Sequence, residues 1–195
     1  MRLCRLNPQQ LLAGDHCYLD PTDECYFGGP YECCQRPGVR PLILSLKRGR
    51  QSAILGVAKQ LALALPGDWA RTFTFVPMPP SSGTTSAVES VAWRLPVADV
   101  RRLLGQNRDT PSSHSGWRLS PAERQGILNL NELEADPVPG AIAIIDDVLT
   151  TGSHFRAGKM VLRHKWPGIR VIGVFLARVC PRAEFRCVGE CGLCS

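Results

Sequence analysis

The chain has 195 residues, 44% of them hydrophobic and 21% charged, which is enough to bury a real core in one compact domain with a small appendage. Its formal net charge of +6 suits an anionic ligand or nucleic acid and equally a solvated surface, so charge selects no function by itself. No apolar run reaches the roughly 18 to 20 residues of a membrane span, and Met1 to Gly14 lacks the apolar core of a secretion signal. The sequence therefore predicts a cytoplasmic protein with no membrane partner.

In a reducing compartment the nine cysteines predict metal ligation or burial rather than a disulfide framework. Residues 1–38 carry Cys4, Cys17, Cys25, Cys33 and Cys34 among glycine, proline, aspartate and tyrosine, with little periodicity, and read as an irregular cap open to metal binding. From Pro41 to Leu65 the apolar residues Ile54, Val57, Ala58, Leu61, Ala62 and Leu65 recur at three and four, which predicts a helix with one buried stripe, ended by Pro66 and Gly67. Thr72 to Val76 is a short strand closed by Pro77, Pro79 and Pro80. Ala87, Val88, Val91, Ala92 and Leu95 share a helical face, and Val97 to Leu104 is a candidate second strand.

The polar stretch between Gly105 and Leu119 has no apolar period and is expected to be mobile. Ser120-Pro-Ala-Glu123 has a cap, a proline for the first turn and a glutamate placed for a capping box, so a helix should start there. Ala141 to Ile145 reads as a buried parallel strand, Gly152 to Trp166 as a helix with Phe155 and Leu162 on one face, and Ile169 to Leu176 as another strand. Strands alternating with helices predict an α/β layer with a mainly parallel sheet, whose ligands sit beyond the carboxyl ends of the strands.

The segment IAIIDDVLTTGSH, Ile142 to His154, carries the chemistry. A buried strand delivers Asp146 and Asp147 to its exposed end, and a turn of Thr150, Thr151, Gly152 and Ser153 leads into a helix. Backbone amides at a helix start, small hydroxyls and the helix dipole together bind phosphate, and Gly152 should let the backbone approach it without a Cβ in the way. The aspartates can accept hydrogen bonds from vicinal hydroxyls. The alternative for the same residues is a capped strand-to-helix turn with solvated aspartates.

Four apolar residues, two acids, two further apolar residues and Thr-Thr-Gly resemble the binding motif for 5-phosphoribosyl-1-pyrophosphate (PRPP) of type I phosphoribosyltransferases. The resemblance implies that family's fold, a mainly parallel sheet flanked by helices, here over residues 39–179, with a small Cys-rich cap formed from the chain ends. It implies that Asp146 and Asp147 hold the ribose hydroxyls and act in catalysis, and that the binding segment continues through Val148, Leu149, Thr150, Thr151, Gly152 and Ser153 to the 5-phosphate. Pro77, Met78, Pro79, Pro80, Ser81 and Ser82 look like the superfamily's pyrophosphate loop and are similar in pattern to that of the amidophosphoribosyltransferases, which implies backbone amides holding the leaving pyrophosphate with Mg²⁺.

Between Arg108 and Asn129, the stretches RDTPSSH and LSPAER and then Asn129 resemble ComF-type competence proteins, as does Leu46-Lys47. The arginine-bearing stretch usual in those proteins after the pyrophosphate loop is replaced by Thr84-Thr-Ser-Ala-Val88. In the superfamily a flexible loop closes over the sugar; residues 105–119 are the candidate here, with Arg108 or Arg118 to meet pyrophosphate.

At the C-terminus, in the tail 180–195, Cys180, Cys187, Cys191 and Cys194 are spaced for a four-thiolate Zn²⁺ site, with an iron–sulfur cluster as the alternative. Cys17, Cys25 and Cys33 form a weaker set without paired spacing. Three readings stay open: an enzyme transferring phosphoribosyl to a nitrogen acceptor, a PRPP- or nucleotide-binding protein without turnover, and a zinc-dependent protein associated with DNA.

Overall fold

The computed structural model describes residues 1–6, 16–31, 38–80, 86–107 and 119–179. A five-stranded sheet forms its centre. In chain order its strands are β1 (Cys4–Arg5), β2 (Glu24–Phe27), β3 (Thr74–Pro77), β6 (Ala141–Leu149) and β7 (Arg170–Arg178). They lie in the order β1-β2-β7-β6-β3; all neighbours are parallel except the β1–β2 pair at one edge. A second, two-stranded antiparallel sheet pairs β4 (Leu104–Gln106) with β5 (Leu128–Leu130).

The period-two pleat of the strands divides the core into two layers. Ala143 and Ile145 of β6, with Phe75, Ile172 and Val174, pack against helices α1 (Arg40–Lys47), α2 (Gln51–Ala64), α3 (Trp69–Thr72) and α4 (Ala87–Ala92). Ile142 and Ile144, with Val76, Val171 and Phe175, face the other way onto Phe155, Ala157 and Leu162 of α6 (Ser153–Lys165). Because both faces are covered, the strands are apolar throughout, which is why β6 reads as one hydrophobic run. Phe155 and Leu162 share the buried face of α6, as their spacing predicts.

The Ser120 cap forms as expected: its Oγ accepts from the Glu123 amide, the Glu123 carboxylate accepts from the Ser120 amide, and α5 (Pro121–Gln125) begins at the proline.

Three elements depart from the sequence reading. The helix anticipated from Pro41 to Leu65 is two helices, interrupted at Arg48–Arg50, where Gly49 takes a left-handed φ of +68° that a continuing helix cannot hold. Residues 24–27, read as part of an irregular cap, are a strand, because Glu24 to Phe27 pair in parallel register with Ile172 to Phe175. The region Val97 to Leu104 gives only a bridge between Val100 and Phe75, and its strand starts at Leu104 and pairs away from the main sheet. The stretch expected to be mobile begins inside β4; residues 108–118 lie outside the described part of the chain. Among the described residues no helix is long and apolar enough to cross a membrane.

Candidate functional site

Since β3 and β6 are parallel neighbours, with Val76 opposite Ile144 and Pro77 opposite Ile145, the segments that follow them leave the sheet side by side. Residues 77–80 and 146–153 are thereby brought to one edge. The main chain at 77–80, however, offers no free donor. Pro77, Pro79 and Pro80 have no N–H, and the Met78 amide already donates to the Ile145 carbonyl at 2.8 Å. The Met78 side chain is buried in the core beneath α6. Any amide of this loop that meets a diphosphate therefore starts at Ser81 or Ser82, outside the described residues.

The pleat that sorts the core also separates the two carboxylates. Ile145 faces the α1 layer and Ile144 the α6 layer, so Asp146 continues toward α6 and Asp147 toward α1. Each carboxylate has one oxygen tied to the main chain and one turned to a side chain. Asp146 Oδ1 accepts from the Asp147 amide at 2.8 Å, and Asp146 Oδ2 stands 3.5 Å from His154 Nδ1. Asp147 Oδ1 accepts from the Val148 amide at 2.7 Å, and Asp147 Oδ2 meets Lys47 Nζ, at the last turn of α1, at 2.8 Å.

Their side chains are 14% and 18% exposed, so they sit at the surface edge of the core rather than in bulk water. Burial, and then the charge of Asp146, raises the Asp147 pKa above the usual carboxylate value, and Lys47 offsets this only in part. For Lys47 itself, burial pulls the pKa down, but the carboxylates of Asp147 and Asp146 outweigh it and the net shift is upward.

After Leu149 the chain turns through Thr150, Thr151 and Gly152 into α6. Gly152 holds φ at +83°, the left-handed conformation that lets the strand reverse into the helix. Its missing Cβ has a different role from the one expected from sequence. A Cβ there would lie 2.5 Å from Leu19 Cδ2 and 2.6 Å from Leu19 Cγ, so the bare side of Gly152 is filled by the protein's own Leu19 and not kept open for a ligand. The donors of the turn remain. Among the described residues, no acceptor meets the main-chain N–H of Thr150, Thr151 or Gly152, and the Ser153 amide reaches only Thr151 Oγ1, at 3.4 Å. Successive amides at the start of a 13-residue helix make a cradle for an anion.

Segment 16–23 straps this turn from outside. The Tyr18 amide donates to the Thr151 carbonyl at 3.0 Å and His16 Nδ1 to the Thr150 carbonyl, which leaves the carbonyls occupied and the amides free. The strap is anchored by Asp23, whose fully buried carboxylate meets Lys159 Nζ at 2.5 Å and Arg156 Nη1 at 3.2 Å, both on α6. On the other side of the turn, Arg124 of α5 is 5% exposed and donates from Nε to Ser153 Oγ at 2.9 Å. Burial lowers the Arg124 pKa below 12.5, with the charge of Asp146 acting against it.

Of the residues singled out from sequence, Asp146, Asp147, Val148, Leu149, Thr150, Thr151, Gly152, Ser153 and Lys47 come together. Leu149 is a core residue under the turn, and Val148 packs against the α1 layer. Arg108, Arg118, Cys33, Cys180, Cys187, Cys191 and Cys194 lie outside the described residues. Cys25 is wholly buried within β2, and desolvation, followed by the charge of Asp23, pushes its thiol far up, which opposes a thiolate ligand in this packing. Cys17 is exposed. Among the described residues no three His, Cys, Asp or Glu side chains are grouped to hold a metal ion.

Arg124, His16 and Asp23 went unnoticed in the sequence; only the capping box that fixes α5 pointed toward the first. No protein-family model matches the chain, and no curated protein matches it.

Proposed function

We propose that this chain is a type I phosphoribosyltransferase-like protein that binds Mg²⁺-PRPP at the carboxyl ends of β3 and β6 and transfers phosphoribosyl to a nitrogen acceptor. One observation carries the reading. A strand ends in two carboxylates and runs directly into a turn whose main-chain N–H groups at 150–152 donate to no described residue. Adjacent hydroxyls and a phosphate monoester, joined through one sugar, match that order of acceptors and donors.

In this reading Asp146 and Asp147 accept from the ribose hydroxyls, and the amides of Thr150 to Ser153 with the α6 dipole hold the 5-phosphate. The acceptor's nitrogen lone pair forms the bond to C1 as the C1–O bond breaks, and that electron pair leaves on the diphosphate. Positive charge builds on the sugar ring as it does in glycosidic cleavage. The two carboxylates lie where they oppose it. Bound Mg²⁺ would neutralise the departing diphosphate; such an ion is commonly held by one or two carboxylates and substrate phosphates, so a dedicated cage is not required. Asp146 and Asp147 offer oxygen donors of the right kind.

Calorimetric titration with Mg²⁺-PRPP tests the site. The wild type should bind, and an Asp146→Ala, Asp147→Ala variant should lose most of the affinity; equal affinity in the two rejects the reading. Pyrophosphate release in the presence of a panel of nucleobases then separates transfer from binding. The presence of Thr84-Thr-Ser-Ala-Val88, in place of an arginine-bearing stretch, favours a second reading: PRPP or nucleotide binding without turnover, as in a ComF-like protein that associates with DNA. In that case PRPP binds and no base releases pyrophosphate. The terminal cysteines are proposed as a structural Zn²⁺ site, which metal analysis before and after chelation tests.

A further inference from the structure

Arg124 is a buried cation that the fold does not neutralise. No carboxylate lies within ion-pairing distance of it among the described residues. Its Nε–H is used on Ser153, and neither Nη group donates to a described acceptor. A desolvated, unpaired charge of this kind is costly unless something completes it. The placement is nonetheless well fixed: the Ser120–Glu123 capping box sets the start of α5, and α5 packs along α6.

The hydroxyl of Ser153 indicates what completes it. A hydroxyl has two acceptor lone pairs and one donor. Ser153 Oγ accepts from Arg124 Nε at 2.9 Å, and at 3.2 Å from Thr151 Oγ1, whose own lone pair takes the Ser153 amide. Both Ser153 lone pairs are then engaged, and its hydrogen is left to donate outward, beside the free amides of the turn. Everything presented at this point is a donor or a positive charge, which calls for a ligand group that only accepts.

We propose that Arg124 is the positive charge of the phosphate cradle: it selects a sugar phosphate in its dianionic form at the Thr150–Ser153 turn and commits the Ser153 hydroxyl as a donor to it. This rests on the phosphoribosyl reading above and adds a specificity-determining residue supplied by a different helix.

The test is titration of the full chain with ribose 5-phosphate and, separately, with ribose. Wild type should prefer the phosphorylated sugar, and its affinity should rise as the phosphate loses its second proton, near pH 6. Arg124→Gln should weaken ribose 5-phosphate binding by about tenfold to a hundredfold, a loss typical for a hydrogen bond to a charged group, and should flatten the pH profile while leaving ribose unchanged. Arg124→Lys should recover part of the loss.

If wild type binds ribose 5-phosphate no better than ribose, the phosphoribosyl reading fails and this inference with it. If wild type prefers the phosphate and Arg124→Gln keeps both affinity and pH profile, Arg124 alone is excluded from the role. Should Arg124→Gln not fold, Ser153→Ala reads the same contact: a loss of severalfold supports the inference, and full retention overturns it.

Discussion

Replacing Asp23 with alanine tests how the strap over the turn is held. The carboxylate is fully buried, with Lys159 Nζ at 2.5 Å and Arg156 Nη1 at 3.2 Å, and it also accepts from the Asp20 amide at 2.8 Å. Lys159 is itself only 7% exposed in its side chain, so the variant strands an ammonium in the core without its anion. Breaking a buried pair from one side costs about 3 to 5 kcal/mol. That is a large part of the roughly 5 to 15 kcal/mol that holds a domain together, and for a chain of this size it corresponds to a fall in Tm of roughly 6 to 20 °C.

Urea denaturation followed by circular dichroism, with a thermal scan beside it, measures both quantities. Asp23→Leu combined with Lys159→Met replaces the pair with apolar groups and should recover most of the stability. An Asp23→Ala variant within about 1 kcal/mol of wild type, a typical surface effect, would refute the reasoning. So would a double variant no more stable than the single one.

The other predictions concern the site itself. Asp147 has its pKa raised above 3.8, first by burial and then by Asp146. Ionising it therefore opposes folding: the penalty is absent below 3.8, grows as pH rises toward the folded pKa, and persists at neutral pH. Asp147→Asn should accordingly raise the urea midpoint at about pH 7 and leave it unchanged at about pH 3; the same gain at both would exclude this cause. Gly152→Ala must place a Cβ against Leu19 at a φ of +83° and should cost about 1 to 2 kcal/mol from the backbone alone. Adding Leu19→Ala should relieve only the steric part, as read from a double-mutant cycle. Ser120→Ala removes the α5 cap and should cost about 0.5 to 2 kcal/mol in denaturation, together with weaker ribose 5-phosphate binding, because α5 carries Arg124.

What could be read in advance was local. The apolar run of β6, the acid pair at its end, the Thr-Thr-Gly turn and the Ser120 capping box are all fixed by neighbours within a few residues, and each forms where the spacing puts it. The strand β2 escaped because ECYF is too short to show a period and is extended only through its pairing with β7. Arg124, Asp23 and His16 escaped for the same kind of reason. Their partners lie 29, 136 and 134 residues away, at Ser153, Lys159 and Thr150, and a single sequence carries no sign of which distant residue will meet a charge. The role given to Gly152 was incomplete because the residue that fills its open side, Leu19, comes from the far end of the chain.

The arrangement of charge explains why one ligand should engage the whole segment. At the strand end the field is negative: two carboxylates, sent to opposite faces by the pleat, are each met from one side only, by His154 and by Lys47. Within one turn of chain it becomes positive, with free amides, the helix start and the guanidinium of Arg124. Free phosphate would gain from the second zone and be repelled by the first; an uncharged polyol would gain only from the first. A molecule that joins adjacent hydroxyls to a phosphate monoester satisfies both. Since Asp146 also supports the charge of Arg124, the two zones stabilise each other in the empty protein, and a ligand that spans them preserves that balance.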